Sequence, residues 1–235
     1  MFKPRVALLS ALLLLLTASA FADGPGPWVK VRDEAGILVH RRTVPGSQIA
    51  EFRARGVIEA PLPAVYAVLQ DHAHAKDWQY HSVASRVLEK LDGHSEIVYQ
   101  RSGAPWPVQD RDCVLRSTET LDDAAHQLRL TWKTVDYPKM PPQDGAVRMP
   151  NVTGHWNLTV DHDGEWTQVE YQVQADAGGN IPDWLANRGS KNVPFDTLQS
   201  LRKQVGRKVS AALERELAAR PELQVLLAAS VAEKP

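Results

Sequence analysis

The densest group of potential metal ligands in the sequence lies between Asp71 and His81. Asp71, His72, His74, Asp77 and His81 are residue types that bind divalent metals. Residues two positions apart on a helix face different sides, so His72 and His74 would not converge on one ion. No second pair of ligands with zinc-site spacing follows along the chain. We therefore expect no metal site in this protein.

Nucleophiles and general bases are present, but not in the patterns typical of catalysis. The chain contains no GxSxG sequence, and its single cysteine, Cys113, falls in a predicted strand, where a buried thiol is an ordinary core group. The polar stretch 161–164 is typical of a hairpin turn. Gly178 and Gly179 lack the strand-then-helix context of a phosphate-binding loop. These patterns predict no catalytic residue and no cofactor.

Length and charge narrow the remaining classes of function. The 235 residues are 43% hydrophobic and 23% charged, as in ordinary globular proteins. With 27 Lys and Arg against 28 Asp and Glu, the formal net charge is -1, which argues against nucleic acid as a partner. One cysteine excludes an intramolecular disulfide, so stability must come from a packed core.

The N-terminus has the order of segments found in secretory signals. Lys3 and Arg5 precede an apolar run that ends at Leu16, and small residues follow. The run is too short to span a bilayer, which disfavours an uncleaved anchor. We expect cleavage after Ala22 or Ala20 and a mature protein that is periplasmic or secreted. The expected organisation is a signal peptide (1–22), a linker (23–27), one domain (28–219) and a C-terminal tail (220–235).

Short segments of alternating polarity recur along the domain. In residues 127–135, Leu128, Leu130 and Trp132 alternate with polar residues, which predicts a strand with one face toward the interior. Asp-Gly pairs at 92–93 and 163–164 separate such runs at positions typical of hairpins. The pattern predicts an antiparallel sheet of at least eight strands, at 37–42, 49–58, 82–91, 95–101, 111–120, 127–135, 156–160 and 169–174.

Two segments have helical periodicity. Residues 61–69 place Pro63 in a first turn, with apolar residues along one side. From Pro194 to about Ala219, apolar residues spaced three or four apart predict one long helix with an apolar stripe. A helix lying on a curved sheet encloses a cavity wherever the facing side chains do not fill the space, and such cavities suit apolar ligands. The predicted class is α+β.

Several short motifs then follow one another in a particular order. They are Gly36-Ile37-Leu38-Val39 with Val44-Pro45-Gly46-Ser47, Asp71 with Trp78, Trp106-Pro107 before Asp110-Arg111-Asp112, Val147-Arg148, and the run from Ile181 through Trp184 to Asn187. Together they resemble the START domain family of lipid-transfer proteins over roughly residues 28–209. The resemblance implies a helix-grip fold, in which a curved antiparallel sheet wraps around a long C-terminal α-helix and leaves an internal hydrophobic cavity.

The resemblance also implies a function and a site. It implies a non-enzymatic monomer that binds and transfers, or senses, one lipid or sterol-like molecule inside a tunnel between sheet and helix. Aromatic residues in the predicted strands and at the helix entry are the expected walls: Tyr99, Trp132, Trp156, Tyr171 and Trp184.

Arg111 is the expected polar group of this tunnel. In sterol-binding relatives an acidic residue on the preceding strand accompanies the matching arginine, but residues 98–101 here are Val-Tyr-Gln-Arg. A cation buried without an acid is costly unless a lipid headgroup, Asp112 or another acid pairs with it. This favours an anionic or zwitterionic lipid over a plain sterol. The alternative is that Arg111 pairs with a neighbour in the sheet and touches no ligand.

Other interpretations remain open at this point. A polyketide cyclase or aromatase of the same superfamily would use acids and bases in the cavity, and a regulatory partner protein would have a filled interior. Pro105, Trp106 and Pro107 are predicted to lie in a loop. That loop either makes transient contact with a membrane, since tryptophan favours the interface, or packs rigidly on the lid.

Overall fold

Ten strands and three α-helices follow one another in the computed structural model, which describes residues 24–161, 164–181, 192–207 and 211–223. The expected signal peptide, Trp184 and residues 224–235 of the expected tail lie outside the described residues. In the described part of the chain, no helix has the length and apolar character needed to cross a membrane.

The strands are β1 (Val29–Glu34), β2 (Ile37–Val44), β3 (Ser47–Ile58), β4 (Ser82–Lys90), β5 (Ser95–Ser102), β6 (Asp110–Asp122), β7 (Gln127–Thr134), β8 (Ala146–Arg148), β9 (Asn151–Asp161) and β10 (Trp166–Asp176). The helices are α1 (Leu62–Gln70), α2 (Val193–Gln204) and α3 (Ala211–Ala218), and a 3-10 helix covers His72–Asp77.

The strands form one sheet in the order β1-β2-β3-β10-β9-β7-β6-β5-β4, and every neighbouring pair in this order is antiparallel. The short strand β8 pairs with β6 in parallel. Tight turns join the first strands: Ala35 and Gly36 both have positive φ (51° and 65°), as two-residue hairpin turns require. All eight predicted strands are present, and the antiparallel sheet and the helix-grip class are confirmed.

Helices α1 and α2 cover the half of the sheet that carries β2, β3, β9 and β10. Leu62 and Val65 of α1 and Leu198 and Leu201 of α2 have no exposed surface. They pack against strand residues such as Ile37 in one continuous core. Burying one such side chain stabilises the fold by about 1.5–3 kcal/mol, so this half holds the domain together.

The single long helix expected from Pro194 to about Ala219 is not observed. Helix α2 ends at Gln204, where Val205 adopts an extended backbone (φ -61°, ψ 132°) and Gly206 has φ 90°. The N–H of Val205 donates to the carbonyl of Leu201 at 3.2 Å and completes the helix end. The apolar spacing continues past this point, because it indicates only which residues face the interior. The helix ends here because Gly206 permits a left-handed backbone conformation.

The described residues at the start of the expected tail, 220–223, pack against the domain. Leu223 is 1% exposed and lies in the core. Arg220 donates to both carboxylate oxygens of Glu119 on β6 and to the hydroxyl of Tyr66 on α1. Tyr66 also donates to Glu119. The hydrogen bonds with Glu119 raise the pKa of Arg220, and burial followed by the Glu119 charge raises the pKa of Tyr66.

We predict that Arg220→Ala strongly destabilises the domain. Glu119 is buried, with 5% of its side chain exposed, so the substitution leaves a carboxylate without its main partner. Breaking a buried ion pair in this way costs about 3–5 kcal/mol. Urea denaturation measures the free energy of unfolding. The control is Arg116→Ala, which removes an exposed arginine from β6, the strand that carries Glu119. This substitution should change the free energy of unfolding by no more than about 0.5 kcal/mol. Equal effects of the two substitutions would contradict the structural role of Arg220.

Candidate functional site

A cavity of about 530 Å³ lies against strands β5, β6, β7, β9 and β10 and the 3-10 helix region. Its size falls within the range of roughly 300–1,000 Å³ that is typical of small-molecule sites. The described residues therefore leave a cavity on the inner side of the sheet, as expected. Helix α2 contributes only Val193 among its described residues, because its apolar side packs in the core instead. The cavity thus lies beside α2 rather than under the helix as expected.

Two neighbouring strands form one wall through the alternation of their side chains. Glu96, Val98, Gln100 and Ser102 of β5 face the cavity, as do Arg111, Cys113, Leu115 and Ser117 of β6. The register pairs them in order, from Ser102 opposite Arg111 to Glu96 opposite Ser117. Charged side chains therefore lie at both ends of this wall, and the uncharged residues Val98, Gln100, Cys113 and Leu115 lie in its middle. Burial raises the pKa of the Cys113 thiol to about 12, so the group stays neutral.

Aromatic rings line the cavity on the adjoining strands β7, β9 and β10. Trp132, Trp156 and Tyr171 line the cavity as predicted. The Trp156 and Tyr171 rings stack with centroids 4.1 Å apart, and Trp132 lies 5.9 Å from Tyr171. Gly154 makes room for Trp132, because a Cβ at this position would lie 2.5 Å from the Trp132 ring. These rings present a large apolar surface to a ligand.

A fourth ring, Trp78, was not predicted as a wall residue. It lines the cavity with its centroid 6.3 Å from that of Trp156. In the sequence, Trp78 is notable only as part of a family motif. The segment around it has neither strand nor helix periodicity, so no pattern predicts which way its side chain points.

Tyr99 does not line the cavity, contrary to the prediction. It lies on the outer face of β5, where it packs with Ile97, Val114 and Met140. Strand alternation explains the error: Val98 and Gln100 point inward, so Tyr99 must point outward. Trp184, the remaining predicted wall residue, lies outside the described residues.

Arg111 lines the cavity and is 9% exposed. Its Nε donates to the carbonyl of Ala177 at 3.2 Å, and its Nη1 donates to the carbonyl of Gln109. Within the described ranges no carboxylate lies within 4.0 Å of the guanidinium. Burial lowers the pKa of Arg111, which reflects the cost of keeping this cation out of water. Backbone carbonyls hold the guanidinium in place without neutralising it.

Asp112 cannot serve as the partner of Arg111. It is fully buried on the outer face, and Arg148 of β8 donates to its two oxygens from Nε at 2.7 Å and from Nη2 at 3.1 Å. The two adjacent residues of the Arg-Asp motif thus serve different faces of the sheet. The hydrogen bond with Asp112 raises the pKa of Arg148. Arg148, from the Val147-Arg148 motif, is thus the counter-ion of Asp112. Asp112 therefore does not pair with Arg111.

A second polar pair lines the cavity and was also missed. Nε2 of His72 lies 2.9 Å from Oε1 of Glu96, and Nδ1 lies 3.1 Å from Oγ of Ser85. From its sequence context, His72 is a candidate metal ligand only. The other histidines of that segment diverge, since His74 bonds to Asp71 at 2.7 Å and His81 contacts the Tyr80 ring. In the described residues no three potential ligands converge on one point.

The loop between β5 and β6 borders the cavity and carries an exposed tryptophan. Pro105 and Val108 line the cavity, whereas the side chain of Trp106 points away, with 92% of the residue exposed. Packing of Trp106 on a lid, one of the two expectations, is therefore wrong. The loop lies at the Arg111 end of the wall, because it joins Ser102 to Asp110.

The structure combines a curved antiparallel sheet, helices on its inner side and a cavity lined largely by apolar side chains. The START domain profile matches residues 14–210, and the chain belongs to the START domain family.

Three relatives illustrate this membership. The STAR-related lipid transfer protein of Xanthomonas axonopodis is 34% identical, with a TM-score of 0.68, over 76% of this chain and 98% of that structure. An uncharacterised protein of Pseudomonas aeruginosa is 31% identical over 84% of this chain and 95% of its own. The phosphatidylcholine transfer protein of Rattus norvegicus is 25% identical over 70% of this chain and 77% of its own.

Proposed function

We propose that this protein binds a single lipid in the cavity and transfers it between membranes without catalysing a reaction. The observation that carries the proposal is the cavity itself, with aromatic rings on one wall and a buried arginine at one end. Membership in a family that includes lipid transfer proteins supports it.

The environment of Arg111 favours a lipid with an anionic or zwitterionic headgroup over a plain sterol. Among the described residues the guanidinium has only backbone carbonyls as partners, at Ala177 and Gln109. A phosphate or carboxylate would neutralise the cation and accept charge-assisted hydrogen bonds, which are about twice as strong as neutral ones. A sterol hydroxyl would leave the charge uncompensated.

Lipid that copurifies with the protein tests the proposal directly. Native mass spectrometry of the wild type should show one lipid per chain. Val98→Trp, which places a large ring in the middle of the cavity wall, should remove it. The matched control is Val83→Trp, at a residue that is 51% exposed on the neighbouring strand β4, which should retain the lipid.

The result also separates the alternatives. Recovery of an unaltered lipid after incubation supports a carrier, whereas conversion of an added polyketide would support the cyclase alternative. A folded wild type that neither copurifies with lipid nor binds it from vesicles would contradict the proposal.

We predict that Arg111→Ala weakens binding of a phospholipid more than binding of a neutral sterol. Loss of a hydrogen bond to a charged group costs about 1.5–3 kcal/mol, or about ten- to a hundredfold in dissociation constant. Arg111→Lys keeps the charge but not the fork of donors and should give an intermediate loss. Fluorescent-lipid displacement measures both affinities. Equal losses for the two ligands, together with lower stability, would assign Arg111 a purely structural role.

We also propose that the loop between β5 and β6 contacts the membrane during transfer. Trp106 and Val108 expose apolar surface beside the cavity, and tryptophan favours the interface between lipid and water. Because Val108 also lines the cavity, the same loop connects the membrane surface to the ligand.

Trp106→Ala should slow lipid transfer between vesicles severalfold without changing the lipid content of the purified protein. The control is Val31→Ala, which removes an exposed apolar side chain from β1 at the far edge of the sheet. Transfer is followed by dequenching of a fluorescent phospholipid. An unchanged transfer rate in Trp106→Ala would rule out this loop as the docking site.

A further inference from the structure

The end of the cavity opposite Arg111 carries a partly buried carboxylate, Glu96. Glu96 and His72 both line the cavity, and their side chains are 15% and 17% exposed. Nε2 of His72 is 2.9 Å from Oε1 of Glu96. Ser117 faces Glu96 across the strand pair and adds a hydroxyl to the same region.

The register fixes the separation of the two polar ends. Arg111 is opposite Ser102, and Ser102 is six residues from Glu96 along β5. At about 3.4 Å per residue the two ends are roughly 20 Å apart along the wall. Val98, Gln100, Cys113 and Leu115 lie between them, so the middle of this wall is uncharged, with Gln100 as its one polar side chain.

A closed cluster lies just beyond Glu96. Glu119, two residues after Ser117 on β6, is bonded to Arg220 and Tyr66 and is 7% exposed. The Arg111 end, by contrast, adjoins the loop with the exposed Trp106. A lipid whose anionic group is bound by Arg111 would therefore extend its chain toward Glu96.

An ordinary acyl chain is a poor neighbour for Glu96. An apolar chain end would displace water from the carboxylate without donating a hydrogen bond in its place. Burying a charged group in this way is energetically costly. His72 is the single side chain in the described residues that bonds to Glu96, and it occupies Oε1. The second oxygen has acceptor capacity to spare.

On the basis of the proposed lipid-binding function, we propose that Glu96 and His72 form a second subsite. This subsite binds a hydrogen-bond donor, either a hydroxyl or an ammonium group, at the far end of a long-chain lipid. Glu96 accepts the hydrogen bond, and His72 orients the carboxylate from the 3-10 helix. Ser85 holds the other nitrogen of the His72 ring at 3.1 Å. The proposed ligand is thus polar at both ends with a long uncharged middle, matching the charged ends and uncharged middle of the wall.

Two probes of equal chain length test this inference: a long-chain fatty acid and its ω-hydroxy derivative. Both present a carboxylate to Arg111, so they differ only at the Glu96 end. The wild type should bind the ω-hydroxy acid about ten- to a hundredfold more tightly, as expected for a hydrogen bond to a charged acceptor. Displacement of a fluorescent fatty acid gives both dissociation constants.

Substitution of Glu96 should reverse the preference. Glu96→Leu removes the acceptor and makes this end apolar, so the plain fatty acid should bind at least as tightly as to the wild type and the ω-hydroxy acid more weakly. A gain in affinity for one probe cannot result from misfolding. The control is Glu59→Leu, which removes an exposed carboxylate outside the cavity and should leave both affinities unchanged.

Glu96→Gln provides a second variant if Glu96→Leu does not fold. It keeps the shape but removes the charge, and it should lose most of the preference for an ω-amino acid while retaining part of the preference for the ω-hydroxy acid. Equal affinities of the wild type for the plain and ω-hydroxy acids, or a preference that survives in Glu96→Leu, would overturn the subsite but leave lipid binding intact. Failure of the wild type to bind these probes and phospholipid alike would instead overturn the proposed function itself, and the subsite with it.

Discussion

The alternation of side chains along β5 and β6 is the constraint on which the site depends. Because successive residues of a strand face opposite sides, Arg111 must point into the cavity when Asp112 points out. Arg148 of β8 then neutralises Asp112 on the outer face at 2.7 Å, and this pairing leaves the cavity arginine with carbonyl partners. A shift of one residue in register would bring Asp112 inside and expel Arg111. The hydrogen bonds of the sheet therefore determine the charge of the cavity.

The sheet separates stability from ligand binding. One half is covered by α1 and α2 and filled by side chains such as Leu62, Leu198 and Leu201, which have no exposed surface. The other half leaves about 530 Å³ beside β5 and β6. An unfilled interior forgoes packing energy, at roughly 24 cal/mol per Å³ in core-truncation experiments. The covered half and the Arg220 cluster must supply the stability that the cavity half lacks.

The sequence predicts the sheet better than the site, and the reason is physical. A period of two identified every strand from β2 to β7 as well as β9 and β10, and three of the five predicted wall aromatics line the cavity. The same period did not decide which face of β5 is inner, because Val98 and Tyr99 are both suited to burial. The end of α2 depends on the left-handed backbone of Gly206, which apolar spacing does not record. Glu96 and His72 meet through the fold, 24 residues apart in sequence, and no local motif joins them. Cleavage of the N-terminal segment, and the export it implies, stay predictions.

The distribution of charge in the cavity limits the ligand more strongly than its volume does. A cavity of this size accommodates many apolar molecules, and the stacked rings of Trp156 and Tyr171 attract all of them alike. In the proposed binding mode, Arg111 and Glu96 discriminate between ligands, because Arg111 is buried, Glu96 is partly buried, and each loses water when a chain enters. A ligand that compensates only one of them leaves the other charge buried without a new partner, at a cost of several kcal/mol. In the proposed binding mode, Arg111 and Glu96 at the two ends of the wall would therefore select for both the length and the polarity of the ligand. They would also orient it with its anionic group beside Arg111.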